Sequence, residues 1–407
     1  MYGPKNKPLD FLDLVAVTVA VAFSTQPAMS QLAPCDPNYV SNNAKIWLVL
    51  PTGTDTANLQ CAFDHAVSLP DSTVLLSSGT YHTGRVVASG FVGYFSGAGE
   101  NETIIKTLDR PLHVTYLNFY LDPPTPESGS NPWPSIFAFV GGDVVISDLS
   151  LYATENFGTT GWTTGLGVTV YELAHGFVTV GSEVPRQNYR QANAALYRVR
   201  IERLPRTGTL YGFNLINATY FEGFLGADQL PLRGKFDLHD SHFRQVGGTN
   251  LFNLYDSQVS ITRNTYEDSF EGMDVDQISN TTYEYADNKV LNISLGAVLG
   301  GVFVYGFFDS TTIFIIRRNL FTGVYGPYFN NSVTFGSKMK CKPLKNEVEN
   351  ETGVGIYLGP GTTDCLVLCK TRQDNVQNLG TNNKLNGCPE VGGSITVKKD
   401  IFPKALH

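Results

Sequence analysis

The stretch "VSITRNTYED", residues 259–268, sets the pattern from which the fold is read. Apolar and polar residues alternate, an Asn follows, and an apolar residue comes within two positions of it. "YEYADNKVLN" (283–292), "FIIRRNLFTG" (314–323) and "CKPLKNEVEN" (341–350) repeat the arrangement. Their asparagines, Asn264, Asn288, Asn319 and Asn346, are separated by 24, 31 and 27 positions, and Asn375 follows 29 later. "FDLHDSHFRQ" (236–245) is a weaker version upstream. Repeats of this size predict a solenoid, in which loops of varying length leave on the outside while short parallel strands stay in register. Asn suits the sharp corner because it enters the left-handed backbone region more readily than most residues. Stacked at ~4.8 Å, its side chains can also bond to one another as a ladder. There is no Leu ladder and few windows carry a helical period, so leucine-rich and helical repeats fit poorly.

Composition agrees with an all-β chain. Of 407 residues only 16% are charged, Gly numbers 40, and there are 20 Tyr and 25 Phe, a balance that favours strands and turns. The net charge is −8, and no long basic run is present, which argues against a nucleic-acid partner. Lys5 and Lys7 precede the apolar run "LVAVTVAVAF" (14–23), and Ala28 and Ser30 offer small residues before a cut at Gln31. Residues 1–30 therefore read as an export signal, too short in its apolar part for a ~20-residue membrane span. A secreted protein that does not span a membrane is expected. The six cysteines are Cys35, Cys61, Cys341, Cys365, Cys369 and Cys388. In an exported chain they suggest disulfides, with fifteen pairings open. Cys35 and Cys61 stand apart from the other four and are expected to pair; buried free thiols are the alternative. No spacing matches a paired-CxxC zinc site.

One segment breaks the β pattern. In "TDTANLQCAFDHAVSLPDSTVLLSSGTY" (54–81), Leu59, Ala62, Phe63 and Ala66 form one helical face, Thr54 or Asp55 can cap it, and Pro70 ends it. A solenoid's first rung has an open edge, and one amphipathic helix can cover it. With "FSGAGENETII" (95–105), these residues resemble the opening of the pectate-lyase-like (pectin lyase-like) superfamily. In that superfamily a D-T-x-x-[IL]-Q-x-A helix leads to a G-x-Y turn and then a G-x-G strand. The resemblance covers roughly residues 50–390 and implies a right-handed parallel β-helix with an N-terminal capping α-helix. The expected organisation is a signal peptide at 1–30, an extension at 31–49, a β-helix of about ten to twelve coils over 50–390, and a tail at 391–407. The superfamily holds lyases, hydrolases, epimerases, phage tailspikes and proteins without chemistry, so fold does not fix function.

Candidate chemistry lies on one sheet. "LFNLYDS" (251–257), "EGMDVDQ" (271–277), "GVFVYGF" (301–307) and "GIYLGP" (355–360) read as the same sheet in successive coils, with room for an inserted coil. Phe252, Leu254, Met273, Val275, Val302, Val304, Ile356 and Leu358 would point inward. By the period of two, Asn253, Tyr255, Asp274, Asp276, Phe303, Tyr305 and Tyr357 would point outward. Asp274 and Asp276 would share a face about 7 Å apart. That gap admits a water between two carboxylates, as inverting glycoside hydrolysis needs. Tyr255, Tyr305 and Tyr357 would stack on sugar rings, with Asn253 as a further substrate contact. The plain alternative is a solvated strand face, where Asp and Tyr are both at home. The sequence calls for no cofactor. Ca²⁺ is the one ion that Glu267, Asp268, Glu271, Asp274 and Asp276 would suit, although EF-hand spacing is absent.

The catalytic motifs of the superfamily's best-known branches do not carry over. An N-T-D strand, an Asp-Asp pair, a His-Gly turn and an R-I-K strand are missing. "RLPRTG" (203–208) is shorter than an R-x-P-x-x-R setting, which leaves Arg203 and Arg206 as weak candidates. "VYGFFDS" (304–310) lacks the Pro and His of a D-P-H-D element. Asp237 and His239 share a strand face; His239 and His242, three apart, are expected on opposite faces. Loops bearing Trp133 and Trp162 can overhang a groove. Acids on the outward face would repel a polyuronate unless Ca²⁺ bridges them, so a neutral glycan is the better partner. Two functions remain: a polysaccharide hydrolase or lyase, and a non-catalytic glycan- or protein-binding adhesive protein. Nothing selects an oligomeric state.

Overall fold

The computed structural model describes residues 32–84, 86–107, 135–153, 176–181, 192–203, 219–222, 233–246, 249–252, 254–269, 272–276, 280–292, 302–305, 313–322, 333–335, 339–340, 344–348, 356–358, 362–363, 366–369 and 376–386. The expected export signal, the 391–407 tail, Asn253, Glu271, Arg206 and the loops with Trp133 and Trp162 lie outside the described residues.

Among the described residues strands dominate, and all but one short pair form two long ladders of 18 and 10 strands. In the smaller ladder each strand pairs in parallel with the next in chain order. It runs through Val86–Ser89, Ser135–Val140, Gly176–Gly181, Thr219–Glu222, Thr249–Phe252, Met273–Asp276, Val302–Tyr305, Val333–Phe335, Ile356–Leu358 and Val376–Asn378. In the middle of the chain two strands of the larger ladder lie between successive strands of the smaller. Lys235–His239 and His242–Arg244 precede Thr249–Phe252, and the chain then returns as Gln258–Thr262, parallel to Lys235–His239. The first strands are Val40–Asn43 and Ile46–Val49, an antiparallel pair inside the stretch read from sequence as an extension; the second of them joins Ser72–Leu76 in parallel. Alternate side chains point inward. Phe236, Leu238, Val259, Ile261, Tyr283 and Tyr285 are all buried, and they are residue partners in three adjacent strands.

The expected asparagine ladder is present and buried at Asn264, Asn288 and Asn319; Asn346 falls on the strand Leu344–Val348, and Asn375 lies outside the described residues. Asn288 Oδ1 accepts from the Asn264 amide N–H (2.9 Å) and from its side-chain Nδ2 (3.2 Å). Asn319 Oδ1 treats Asn288 in the same way, at 2.9 and 3.1 Å. Each Nδ2 also donates to a carbonyl one turn back: Asn264 to Leu238, Asn288 to Ile261, Asn319 to Tyr285. Ser241 holds the preceding position, its amide donating to Asn264 Oδ1 at 3.0 Å.

The left-handed corner itself belongs to a different residue than expected. It is taken by the residue before the asparagine: Arg263 at φ +57°, Asp287 at +59° and Arg318 at +53°. An asparagine at that point would aim its amide outward and leave the ladder, so a charged residue bears the backbone cost, roughly 1 kcal/mol for a non-glycine residue. Asp148, Arg198 and Asp240 hold the same conformation at earlier corners. The column thus alternates in sign: Asp148, Arg198, Asp240, Arg263, Asp287, Arg318. Its members pair at 2.6 Å (Arg198 Nε to Asp148), 2.8 Å (Arg263 Nε to Asp240) and 2.6 Å (Arg318 Nε to Asp287), each with a second N–H···O bond alongside. Where no Cβ fits, glycine serves. At Gly142, φ +81°, a Cβ would lie 2.2 Å from the Phe91 carbonyl oxygen.

The column predicts acid sensitivity. The Arg263 guanidinium, bonded to Asp240, holds that carboxyl at about 2, and Arg198 lowers Asp148 in the same way. A carboxyl depressed on folding contributes its full stability above the unfolded value of about 3.9 and loses it as pH falls through about 2. These pairs are exposed, so each is worth under about 1 kcal/mol. In thermal melts between about pH 5 and pH 2, Asp240→Asn is expected to flatten part of the acid-side fall, since Asn tolerates the corner but does not titrate. A variant curve parallel to the native one throughout would refute this.

The expected helix spans Thr56–Ala66 and buries Leu59, Ala62, Phe63 and Ala66, the face predicted from its period. Phe63 sits edge-on to Phe91, Phe95 and Phe139, with centroids 5.2, 5.2 and 5.7 Å away. Asp55 is the N-cap residue by position, yet its side chain makes no capping hydrogen bond. Fully buried, it accepts instead from the Thr52 amide (2.6 Å), the Thr52 hydroxyl (2.9 Å) and the His82 amide (2.6 Å). Thr56 Oγ1 accepts from the Gly84 amide at 2.7 Å. Gln60 pairs with both the N–H (2.9 Å) and C=O (2.7 Å) of Val87. Three side chains of the helix start therefore meet backbone groups of Gly79–Thr83, Val86–Ser89 and the turn between them. Those two strands have a strand neighbour on one side only among the described residues. Cys35 and Cys61 form the expected disulfide.

Candidate functional site

The smaller ladder fixes which residues share a position. Met273 and Val275 are fully buried, so Asp274 and Asp276 occupy the alternate positions of their strand. Asp274 lies between Asn250 and Phe303, and Asp276 between Phe252 and Tyr305. Tyr357 shares the Asp274 position two strands beyond Phe303, with Thr334 between. The intervening strand Val333–Phe335 is the inserted rung that the sequence left room for. Leu358 is buried, as its inward assignment requires.

Residues 251–257 differ from the expected alignment. The strand ends at Phe252, and the buried residue that pairs with Val275 is Leu251. Phe252 thus takes the Asp276 position rather than an inward one, a one-residue slip that exchanges faces. Thr249 sets the register: it too is buried, its hydroxyl 3.1 Å from that of Tyr266. Tyr255 consequently falls beyond the strand and off the Asp274–Asp276 face. The Arg233 guanidinium lies 5.0 Å over its ring and pairs with Asp256 at 2.8 Å. One face of that tyrosine is already covered by a cation. Arg203 ends the strand Ala192–Arg203.

The histidines also depart from the expected arrangement. The left-handed residue Asp240 resets the alternation, so Leu238, Ser241 and Phe243 are buried while His239 and His242 are both half-exposed. His239 Nδ1 lies 2.8 Å from Asp240 Oδ2, not paired with Asp237, and its ring stacks on Tyr197 at 5.3 Å. His242 Nε2 lies 3.3 Å from Glu267 Oε2. Beside it, Glu202 is held by Arg200 (2.8 Å) and Arg244 (3.4 Å), and Arg244 reaches Asp268 at 3.5 Å. Sequence reasoning missed this network. Its signal is the triplet set R-I-E, H-F-R and T-Y-E at 200–202, 242–244 and 265–267, whose outer members are partners in three adjacent strands. Chemically it is a lattice of paired charges in which the buried His242 Nε2 and Arg244 Nε make ion-pair contacts without a hydrogen bond. Among the described residues it presents no nucleophile beside a base.

No family profile and no curated protein matches the sequence. Solved structures similar to the chain include the enzymatically active domain of tailspike protein 2 from bacteriophage CBA120, at 10% identity and a TM-score of 0.40, covering 84% of this chain and 45% of that one. A DFA-IIIase from Arthrobacter chlorophenolicus A6 matches at 10% identity and 0.40, over 85% of this chain and 92% of the other. The PL6 family alginate lyase AlyGC matches at 12% identity and 0.31, over 85% and 53%. Likeness at these scores carries no argument about activity. The parallel ladders and the helix motif at 54–66 agree with the pectate-lyase-like resemblance drawn from the sequence.

Proposed function

We propose that the chain is a secreted, right-handed parallel β-helix, covered at its first rung by the helix at 56–66, that acts on a polysaccharide as a hydrolase or lyase. The supporting observation is the register of Met273–Asp276. Two aspartates alternate with buried Met273 and Val275, and share positions with Phe303 and Tyr305. Residues two apart on one strand are about 7 Å apart, a separation that suits a water-activating base and a leaving-group acid. Phe252, Tyr305 and Tyr357 are the aromatic partners of this reading; Tyr255 drops out of it. The Cys35–Cys61 disulfide suits an oxidising compartment, which supports export.

The test is a screen of the purified chain on plant, algal and microbial polysaccharides, with and without Ca²⁺, for reducing ends and for unsaturated-uronate absorbance. Where turnover is found, Asp274→Asn and Asp276→Asn are each expected to lower kcat by about 10²-fold or more. Turnover that survives both substitutions together rules out this site. If no polymer is cut yet one is retained in affinity gels, the protein is a binding module.

A further inference from the structure

The disulfide sits beside a third metal-ligating group. Cys61 and His65 are one turn apart on the same helix, so their side chains share a face. Cys35 approaches from the segment before the first strand. Both Sγ atoms and a His65 ring nitrogen lie within 4.8 Å of one another. His65 is held in place by Trp47, whose ring stacks on it at 5.1 Å and 22°. All three ligand residues are half-buried, open enough for a small reductant and an ion to reach.

We infer that the Cys35–Cys61 bond is the oxidised form of a Cys–Cys–His site for a thiophilic divalent ion of the Zn²⁺ kind. Two thiolates and an imidazole suit such an ion and reject Ca²⁺ or Mg²⁺. A tetrahedral ion with Zn–S near 2.3 Å needs its two sulfurs about 3.8 Å apart. The Cα atoms, 5.7 Å apart, leave side-chain rotation to open that gap. The fourth position remains for water. The switch balances as follows. A dithiol gives two electrons and two protons to the Cys35–Cys61 bond and leaves as its own cyclic disulfide. The two thiols then release their protons as the ion binds to the thiolates and to neutral imidazole. Nothing in this site bears on the glycan face, and it stands or falls separately.

The full chain, reduced with dithiothreitol and freed of it under nitrogen, is titrated with Co²⁺ and then Zn²⁺. Expected are a thiolate-to-cobalt charge-transfer band and tetrahedral visible bands, bleached by Zn²⁺. The oxidised chain shows neither. Zn²⁺ also restores melting temperature lost on reduction. Cys61→Ser removes the charge-transfer band of this site. His65→Gln weakens binding by at least about 100-fold, the upper end of what losing even an outer-shell partner costs. The inference fails if the reduced native chain gives no band. It also fails if the band is unchanged in Cys61→Ser, which would locate it at other cysteines, or if His65→Gln binds as tightly as native. Should Cys61→Ser not fold, Cys35→Ser and His65→Gln decide by the same readings.

Discussion

Asn288→Ala is expected to cost about 3–5 kcal/mol of stability, although it removes only a small side chain. The amide it deletes accepts two hydrogen bonds from Asn264 and donates to the Ile261 carbonyl and to Asn319 Oδ1. Asn264 and Asn319 are themselves buried, so water does not replace the lost partner without opening the corner. Each stranded group costs about 1–3 kcal/mol, and neighbouring losses do not add in full. The neighbouring residue supplies the contrast. Asp287→Asn keeps a side chain that tolerates φ +59° and removes the charge of its exposed ion pair with Arg318, a change of under about 1 kcal/mol. Urea unfolding gives the ranking. Amide hydrogen exchange gives the location: Asn264, whose N–H is bonded to Asn288 Oδ1, should lose protection first. Equal effects at 287 and 288 would mean that the ladder contributes no more than the surface charges.

The ladder was legible in the sequence because its repeat is chemical as well as periodic. An asparagine in front of an apolar strand recurs even where loops stretch the spacing from 24 to 31 residues. The corner beside it was misread for a physical reason. Left-handed propensity favours Asn, but the ladder needs the amide buried one residue later, and tertiary hydrogen bonding outweighs a preference of about 1 kcal/mol. The strand alternation was legible at Met273–Asp276, where buried Met273 and Val275 leave Asp274 and Asp276 at the alternate positions. It was not legible at 251–257, where an alternating strand has two solutions one residue apart. Thr249 decided between them, and a threonine looks outward-facing in sequence. Its burial depends on Tyr266, which lies in a different strand. The His239–His242 relation failed for a related reason: a single left-handed residue between two strands restores a face that strict alternation would reverse.

Asp55 yields the sharpest separation between a sequence rule and the structure. A residue that merely capped the helix Thr56–Ala66 would tolerate Asn or Ser, which are equally good N-caps, within a few tenths of a kcal/mol. The carboxylate here does something else. One oxygen takes the Thr52 amide and hydroxyl, and the other takes the His82 amide; Asp55 itself is fully buried, and the three bonds are part-buried. Hydrogen bonds to an ionised acceptor are worth about 1.5–3 kcal/mol each. Asp55→Ala is therefore expected to cost about 3–5 kcal/mol. Asp55→Asn should cost at least about 2 kcal/mol, because its NH₂ group must face an N–H donor on one side. Gln60→Ala, which strands the N–H and C=O of Val87 in a partly exposed place, should cost about 1–2 kcal/mol. Chemical unfolding ranks the three, and amide exchange at His82 and Val87 reports whether the backbone opens beside each one. If Asp55→Asn and Asp55→Ser match the native chain while His82 stays protected, the carboxylate is an ordinary helix cap and the apolar face of the helix, Leu59, Ala62, Phe63 and Ala66, holds this end of the chain without it.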